Sequence, residues 1–259
     1  TTKKNGLVVS CNQKLIVNCD VYIVTVPTPV DKNKDPDLKS LIEVTKLISK
    51  FLKRNNIVIY ESTLYPGLTE ELCIPMLENG SNLKINQDFF VGYSPERINI
   101  GDNKKMSKDI VKITSGSNQA ASKIIDNLYR SVIKAGTFSV ESIKIAEATK
   151  MLENCQRDLN IALMNELSTF FKEINVDIEE VIKAASTKWN FIKFFPGLVG
   201  GDCIAIDPYY IIHSAKKNNF NLPLVSLARK TNENMVEYIY DAIISVLLKK
   251  RIKKIAFFG

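Results

Sequence analysis

The chain has 259 residues, 45% of them hydrophobic and 24% charged, which excludes a disordered or fibrous protein and allows one to two domains with a real core. Its 35 Lys and Arg outnumber 28 Asp and Glu, for a net charge of +7, but the positives are scattered apart from KKRIKK at 249–254, a solvated helix end and linker; the excess points to a small polyanionic ligand rather than to nucleic acid. No signal peptide or membrane-length apolar run is visible, and five cysteines, an odd number without metal-ligand spacing, read as reduced thiols of a cytoplasmic protein.

In chain order, Asp20–Val26 (DVYIVTV) predicts a strand ending in the turn Pro27–Pro29. Asp37–Arg54 is an amphipathic helix capped by Asp37. Asn56–Glu61 is a second strand, followed by Ser62 and Thr63; Glu70–Glu78 is helical; Phe89–Tyr93 is a third strand, with SPER (94–97) at its end. Asp109–Thr114 and Ala135–Phe138 are strand-like, with a helix from about Gln119 to Ile133 between them. Alternating strands and helices predict a parallel sheet, whose ligands bind off the carboxyl ends of its strands. VPTP (26–29), EST (61–63) and SPER all lie at such ends.

After Ser139 the pattern is mostly helical. Residues 141–172, ESIKIAEATKMLENCQRDLNIALMNELSTFFK, hold neither glycine nor proline and carry apolar residues at helical spacing. Lys150 and Asn154 share one face of that helix and Arg157 continues it one turn on. Such a line suits an anionic or oxygen-rich ligand; it equally describes an ordinary solvated stripe, against which stand the short polar residues in mid-helix. The segment Phe195–Tyr210, FPGLVGGDCIAIDPYY, places Cys203 after Gly197, Gly200 and Gly201, with Asp207 four residues on and Pro208 suited to the first turn of a following helix. A cysteine delivered by such a loop can act as a nucleophile at a pocket mouth, or can fill a tight structural turn. The sole histidine, His213, lies in an apolar helical run and offers no metal cluster.

The motifs VTVPTPVD (24–31), ESTLYPGLTEE (61–71), GYSPERINIGD (92–102), EATKMLENCQRDLNIALMNE (147–166), TKWNF (187–191) and GLVGGDCIAIDPYY (197–210) stand in the order of one family. The chain resembles the UDP-glucose/GDP-mannose dehydrogenases over nearly all of its length, and within them the branch that oxidises UDP-N-acetylhexosamines to uronic acids for bacterial surface polysaccharides. The resemblance implies a partial Rossmann-like NAD-binding domain at 1–138, a helical central domain at 139–246 that forms a homodimer through the long helix, and at 247–259 the first strand of a UDP-sugar-binding domain. The family's GxGxxG turn does not occur here, so the chain is expected to begin partway into the first domain and to bind NAD weakly or not at all.

The resemblance also implies roles. Cys203 would be the nucleophile of a four-electron oxidation, through a thiohemiacetal and a thioester. Lys150 and Asn154 would stabilise the oxyanion, Asp207 would position water, and Glu96 would be the base for thioester hydrolysis. Thr63 would organise water or contact the nicotinamide, and Thr28 and Cys203 would lie near the cofactor. Glu96, Arg97, Lys150, Asn154, Arg157, Gly197 and Gly200 would meet the UDP-sugar; no metal is implied. Read without the resemblance, Glu96 and Arg97 form a local ion pair and Thr28 and Thr63 are turn and cap residues. Asp202 stands where the branch commonly has histidine, and a carboxylate there should raise the pKa of Cys203; Ile100 replaces a usual proline. The alternatives are a β-hydroxyacid dehydrogenase-like enzyme, which needs no cysteine nucleophile, and a non-catalytic remnant that keeps the dimer core.

Overall fold

The computed structural model describes residues 6–98, 107–201, 203–252 and 254–256. They form two compact units, 1–150 and 151–259.

Unit 1 is built on one five-stranded sheet, ordered as in the sequence: β1 (Val21–Val24), β2 (Ile57–Tyr60), β3 (Phe90–Tyr93), β4 (Lys112–Gly116) and β5 (Thr137–Ser139). β1, β2 and β3 are parallel, in the register Val21↔Ile57↔Phe90. The predicted parallel sheet is found, with one reversed pair. β4 runs antiparallel to β3, with Gly92 opposite Gly116, and β5 is parallel to β4. Parallel strands need a long crossover, usually a helix. The link from β3 to β4 holds, among the described residues, only a short 3₁₀ turn at Ser107–Asp109, so the chain doubles back. Serine hydroxyls fasten the reversed pair: Ser94 Oγ donates to the Ile113 carbonyl at 2.6 Å and Ser115 Oγ to that of Tyr93 at 2.7 Å.

Helices cover both faces. α1 (Lys39–Ser49) starts after Asp37, whose Oδ1 accepts the Lys39 N–H at 3.1 Å. It ends at Ser49, five residues before the predicted Arg54, and Asn55, two residues before β2, has a positive φ of 68°. The predicted Glu70–Glu78 helix is a single π-helical turn, Thr69–Cys73, leading into α2 (Ile74–Ser81). Pro75 lacks an N–H, so the preceding turn widens. On one face of the sheet Tyr60 shares a hydrogen bond with Thr45 of α1 at 3.0 Å. On the other, Ile57 and Ile59 pack with Ala121, Ile125 and Tyr129 of α3 (Gln119–Arg130). β2 is buried on both faces, as a run of IVIY requires.

α4 (Ile143–Glu173) begins in unit 1 and continues into unit 2, close to the predicted bounds. Unit 2 adds α5 (Ile178–Ala185), α6 (Asp207–Lys217) and α7 (Pro223–Lys250), with Pro208 in the first turn of α6 as expected. α7 stops where Arg251 adopts a positive φ of 52°. Residues 254–256 form no strand, and the rest of the final KKIAFFG segment, 253 and 257–259, lies outside the described residues.

Ile125 is fully buried at the centre of the β2–α3 core. Ile125→Ala is expected to destabilise unit 1 by about 2–5 kcal/mol. Urea titration followed by circular dichroism checks this, and a loss below about 1 kcal/mol would show that the core is not centred there.

Candidate functional site

In unit 1 the predicted residues gather at the carboxyl ends of β1, β2 and β3. Thr28 is nearly buried in the turn after β1, and Thr63, two residues past Glu61, is partly buried after β2. The two turns are tied together: Glu61 N–H donates to the Val24 carbonyl at 2.9 Å and Ser62 Oγ to that of Val26 at 2.6 Å. After β3, the Glu96 carboxylate accepts the N–H groups of Arg97 and Ile98, both at 2.8 Å, and Arg97 Nη1 donates to the Val111 carbonyl at 2.6 Å. Lys150 is buried on α4, and its ammonium donates to the Glu96 carbonyl at 2.7 Å. The cation is therefore held at the backbone of SPER, not in a solvated stripe.

Beside these lies a cluster that the sequence does not announce. The reversed β4 brings Lys112 to within 3.4 Å of Glu61, both side chains nearly buried, and Tyr129 O–H donates to the other Glu61 oxygen. Burial, and then Glu61, push the Tyr129 hydroxyl pKa up, so it stays a donor. Glu61, Glu96, Arg97, Lys112 and Tyr129 line a cavity of about 170 Å³, which is too small for a nucleotide.

Glu147, one turn before Lys150, is fully buried. Its carboxylate accepts the Gly67 N–H at 2.5 Å, the Thr69 N–H at 3.0 Å and the Thr69 hydroxyl at 2.6 Å. These bonds pin the loop that follows Thr63. Gly67 has φ +96°, which a side chain would strain. Burial raises the Glu147 pKa to about 7, against the pull of the Thr69 hydroxyl and the two N–H groups.

In unit 2 the turn after the glycine-rich loop carries Cys203. Its carbonyl accepts the N–H groups of Ile206 and Asp207, at 3.0 and 2.9 Å, which starts α6 and sets Asp207 one turn from the cysteine as the spacing predicts. Asp207 is fully buried, and Asn154 Nδ2 donates to its carboxylate. Cys203 is partly exposed, whereas Cys155 and Cys73 are buried thiols that burial pushes up to about 12. Cys203 is thus the cysteine of the two motif regions that a reagent can reach. Gly201 has φ +81°, while Gly197 and Gly200 have open space where a Cβ would stand. Arg157 is partly buried on α4. Asp202 and Ile100 lie outside the described residues.

Unit 2 also buries residues that sequence reasoning passed over. Asp158 pairs with Arg229 of α7 at 2.5 Å, and Asn232 and Asn165 complete a network with the Gly197 backbone. The signal available was a set of short polar residues in mid-helix, of which only some were singled out. Among the described residues no group of three or more His, Cys, Asp or Glu could hold a metal ion. No described helix is long and apolar enough to cross a membrane.

Comparison with known proteins decides the family. Residues 2–133 match the NAD binding domain of the UDP-glucose/GDP-mannose dehydrogenase family, and residues 144–234 match its central domain. The chain belongs to the UDP-glucose/GDP-mannose dehydrogenase family. It is 51% identical over 241 residues to a UDP-N-acetyl-D-glucosamine 6-dehydrogenase of Pseudomonas aeruginosa, covering 93% of this chain and 57% of the relative. It is 46% identical over 248 residues to the protein CapL of Staphylococcus aureus, covering 96% and 58%. A solved UDP-D-ManNAc dehydrogenase of Pyrococcus horikoshii superposes with a TM-score of 0.85 at 32% identity, covering 94% of this chain and 57% of that one. The chain thus spans somewhat more than half the length of the relatives it matches.

The raised pKa of Glu147 makes the stability of this dehydrogenase-family unit depend on pH. A carboxyl group with a folded pKa of about 7 and an ordinary unfolded value contributes stability that is fully present below about 4.5 and is lost as pH rises through 7. The loss is on the order of 3 kcal/mol. Glu147→Gln should flatten the dependence of unfolding free energy on pH between 5 and 7.5. Equal slopes for the two proteins, in urea titrations across that range, would contradict this account.

Proposed function

We propose that the chain acts as an NAD-dependent nucleotide-sugar 6-dehydrogenase, converting the C6 alcohol of a UDP-N-acetylhexosamine to the carboxylate for surface polysaccharide synthesis. The observation that carries this reading is the partly exposed Cys203 one helical turn from the buried Asp207, whose carboxylate accepts from Asn154. The relatives named as UDP-N-acetyl-D-glucosamine 6-dehydrogenases support the choice of sugar.

The carboxyl ends of β1 and β2 suit a dinucleotide. Two hydroxyl-bearing turns stand side by side there, joined by the Ser62–Val26 bond, and Thr28 and Thr63 would hold NAD. When bound, NAD supplies the hydride acceptor for both oxidation steps, two per sugar.

The chain's own residues perform the rest. Cys203, as thiolate, adds its Sγ to the C6 aldehyde left by the first step and forms a thiohemiacetal. The developing oxyanion is met by Lys150, whose ammonium has three donors, and by the second amide N–H of Asn154, the first being given to Asp207. The second two-electron oxidation leaves a thioester. Glu96 then takes a proton from water as the water oxygen bonds to C6, the C–S bond breaks, and the thiolate returns to Cys203. Asp207 orients that water. Arg97, Arg157, Gly197 and Gly200 contribute to sugar-nucleotide binding, arginine through bidentate contacts and the glycines through the space left by the missing Cβ.

A homodimer is part of this proposal. Ile145, Leu152, Leu163 and Phe170 stand exposed on α4, Leu152 by 72% and Leu163 by 51%. Their spacings of seven, eleven and seven residues keep them on one stripe of the helix. A second copy of this chain covers it. A reducing cytoplasm suits the five free thiols. Light scattering should give a dimer that Leu152→Glu together with Leu163→Glu converts to monomer; a monomeric unaltered chain would refute the dimer.

Incubated with NAD and UDP-N-acetylglucosamine, the chain should yield two NADH per acid formed. Cys203→Ala should form no acid, and Lys150→Ala should slow turnover by a factor on the order of 100. Acid formation by Cys203→Ala at two NADH per sugar would overturn the mechanism.

A further inference from the structure

The loop that delivers Cys203 is held in an unusual way. Residues 192–201 have no regular structure, and the glycines have open space around them, so packing does little to fix this stretch. Its hydrogen bonds to the rest of unit 2, among the described residues, run through Gly197. Gly197 N–H donates to Asn165 Oδ1 at 2.7 Å, and Asn165 Nδ2 donates back to the Gly197 carbonyl at 3.0 Å. A single side-chain amide thus grips both backbone groups of one loop residue, as a neighbouring strand would.

The grip has a direction, and the direction is set from behind. Asn165 Nδ2 also donates to Asn232 Oδ1 at 2.8 Å. Asn232 Nδ2 donates in turn to Asp158, to Oδ1 at 2.7 Å and to the main-chain oxygen at 3.0 Å. Arg229 Nη1 donates to the same Asp158 Oδ1 at 2.5 Å. An amide can be turned end for end at little steric cost, so its orientation must come from its partners. Both ends of this chain are unambiguous. Asp158, paired with a guanidinium, can only accept; the Gly197 N–H can only donate. Together they leave one orientation for Asn232 and one for Asn165. All four residues are at least 97% buried, Arg229 being the most exposed at 3%, so water does not compete for the bonds among them.

We infer that Asn165 is a positioning residue for Cys203: it fixes the glycine-rich loop through Gly197, and Asn232, Asp158 and Arg229 fix the orientation in which it does so. The consequence for catalysis rests on the proposed role of Cys203 as nucleophile. The clamp itself does not. With the loop fixed, Cys203 captures the C6 aldehyde before it leaves; with the loop loose, part of the aldehyde escapes.

The test compares Asn165→Ala and Asn165→Leu with the unaltered chain. Leucine keeps the branched shape of asparagine and adds no charge to the buried site, but it cannot accept the Gly197 N–H or donate to the Gly197 carbonyl and Asn232. A role in filling space would leave Asn165→Leu close to the unaltered chain. A clamp makes it as damaging as Asn165→Ala. Backbone hydrogen exchange resolved to the peptide covering 195–201, and alkylation of Cys203 followed by peptide mass spectrometry, should both become about tenfold faster, the scale of losing about one net hydrogen bond. Cys155, buried on α4, is the control for folding and should stay protected. Unchanged exchange and alkylation overturn the proposal. Alkylation of Cys155 in step with Cys203 overturns it too, because Asn165 would then hold the unit and not the loop.

Turnover supplies a readout that lost stability alone does not move. A smaller folded fraction lowers the rate but leaves two NADH per acid. A loosened loop raises the NADH formed per acid above two and releases aldehyde that an added hydroxylamine traps. If the unaltered chain forms no acid, the dehydrogenase reading fails, while exchange and alkylation still decide the clamp.

Discussion

One buried polar seam on α4 organises the site regions of this chain. Glu147, Lys150, Asn154, Asp158 and Asn165 follow one another at spacings of three, four, four and seven residues, which average to the 3.6-residue period of a helix and put them on one face. Glu147, Asp158 and Asn165 are fully buried. A buried polar group without a partner costs roughly 1–3 kcal/mol, so each member must find one. Each finds it in a segment that matters. Glu147 takes the loop after Thr63, Lys150 the backbone of SPER, Asn154 the carboxylate of Asp207, Asp158 the pair Arg229 and Asn232, and Asn165 the glycine-rich loop. Within each unit, irregular segments that no sheet ladder holds are thereby fixed by side chains of α4.

The same helix departs from the usual amphipathic pattern. Its polar seam is inside, beside the buried Ile143, Ala146, Met151, Ala162 and Met164, while Ile145, Leu152, Leu163 and Phe170 are exposed. A solvated helix would turn its polar residues outward. The seam is turned inward because its hydrogen bonds go to buried loops, and it shares that face with the apolar packing.

The strands, their order and the motifs at their ends were legible in the sequence because short apolar runs bounded by Pro and Gly follow directly from local chemistry. VPTP, EST and SPER all stand at carboxyl ends of parallel strands. The direction of β4 was not legible, since its sequence, KITSG, pairs equally well either way, and the described part of the link from β3 holds only the turn Ser107–Asp109. The seam was legible in part. Lys150 and Asn154 could be aligned by spacing, and the short polar residues in mid-helix, Asp158 among them, spoke against a solvated stripe, but the partners of Asp158 and Asn165 are not local. The partners of the seam come from positions 32 to 80 residues away, beyond any local window. Tyr129 and Lys112 were hidden for the same reason: their partner Glu61 is reached through the sheet.

The Asp158–Arg229 pair shows why such groups are kept at all. A buried ion pair is weak support for stability, and an apolar replacement of equal volume is often neutral or better. Here the balance is poorer still, since Asp158 Oδ2 and Arg229 Nε are buried without a hydrogen-bond partner among the described residues, and burial drives the Asp158 pKa up although Arg229 pulls it down. An apolar pair in that place could hold α4 against α7. It could not tell an amide which way to face. Asn232 needs an acceptor-only group behind it to turn its own oxygen toward Asn165, and Asn165 needs that oxygen to turn its carbonyl toward the Gly197 N–H. A carboxylate supplies the acceptor, and a buried carboxylate needs the arginine. The charge is therefore explained by the orientation it imposes at the far end of the network, on a loop stretch, 192–201, whose hydrogen bonds to the rest of unit 2 run through Gly197 among the described residues.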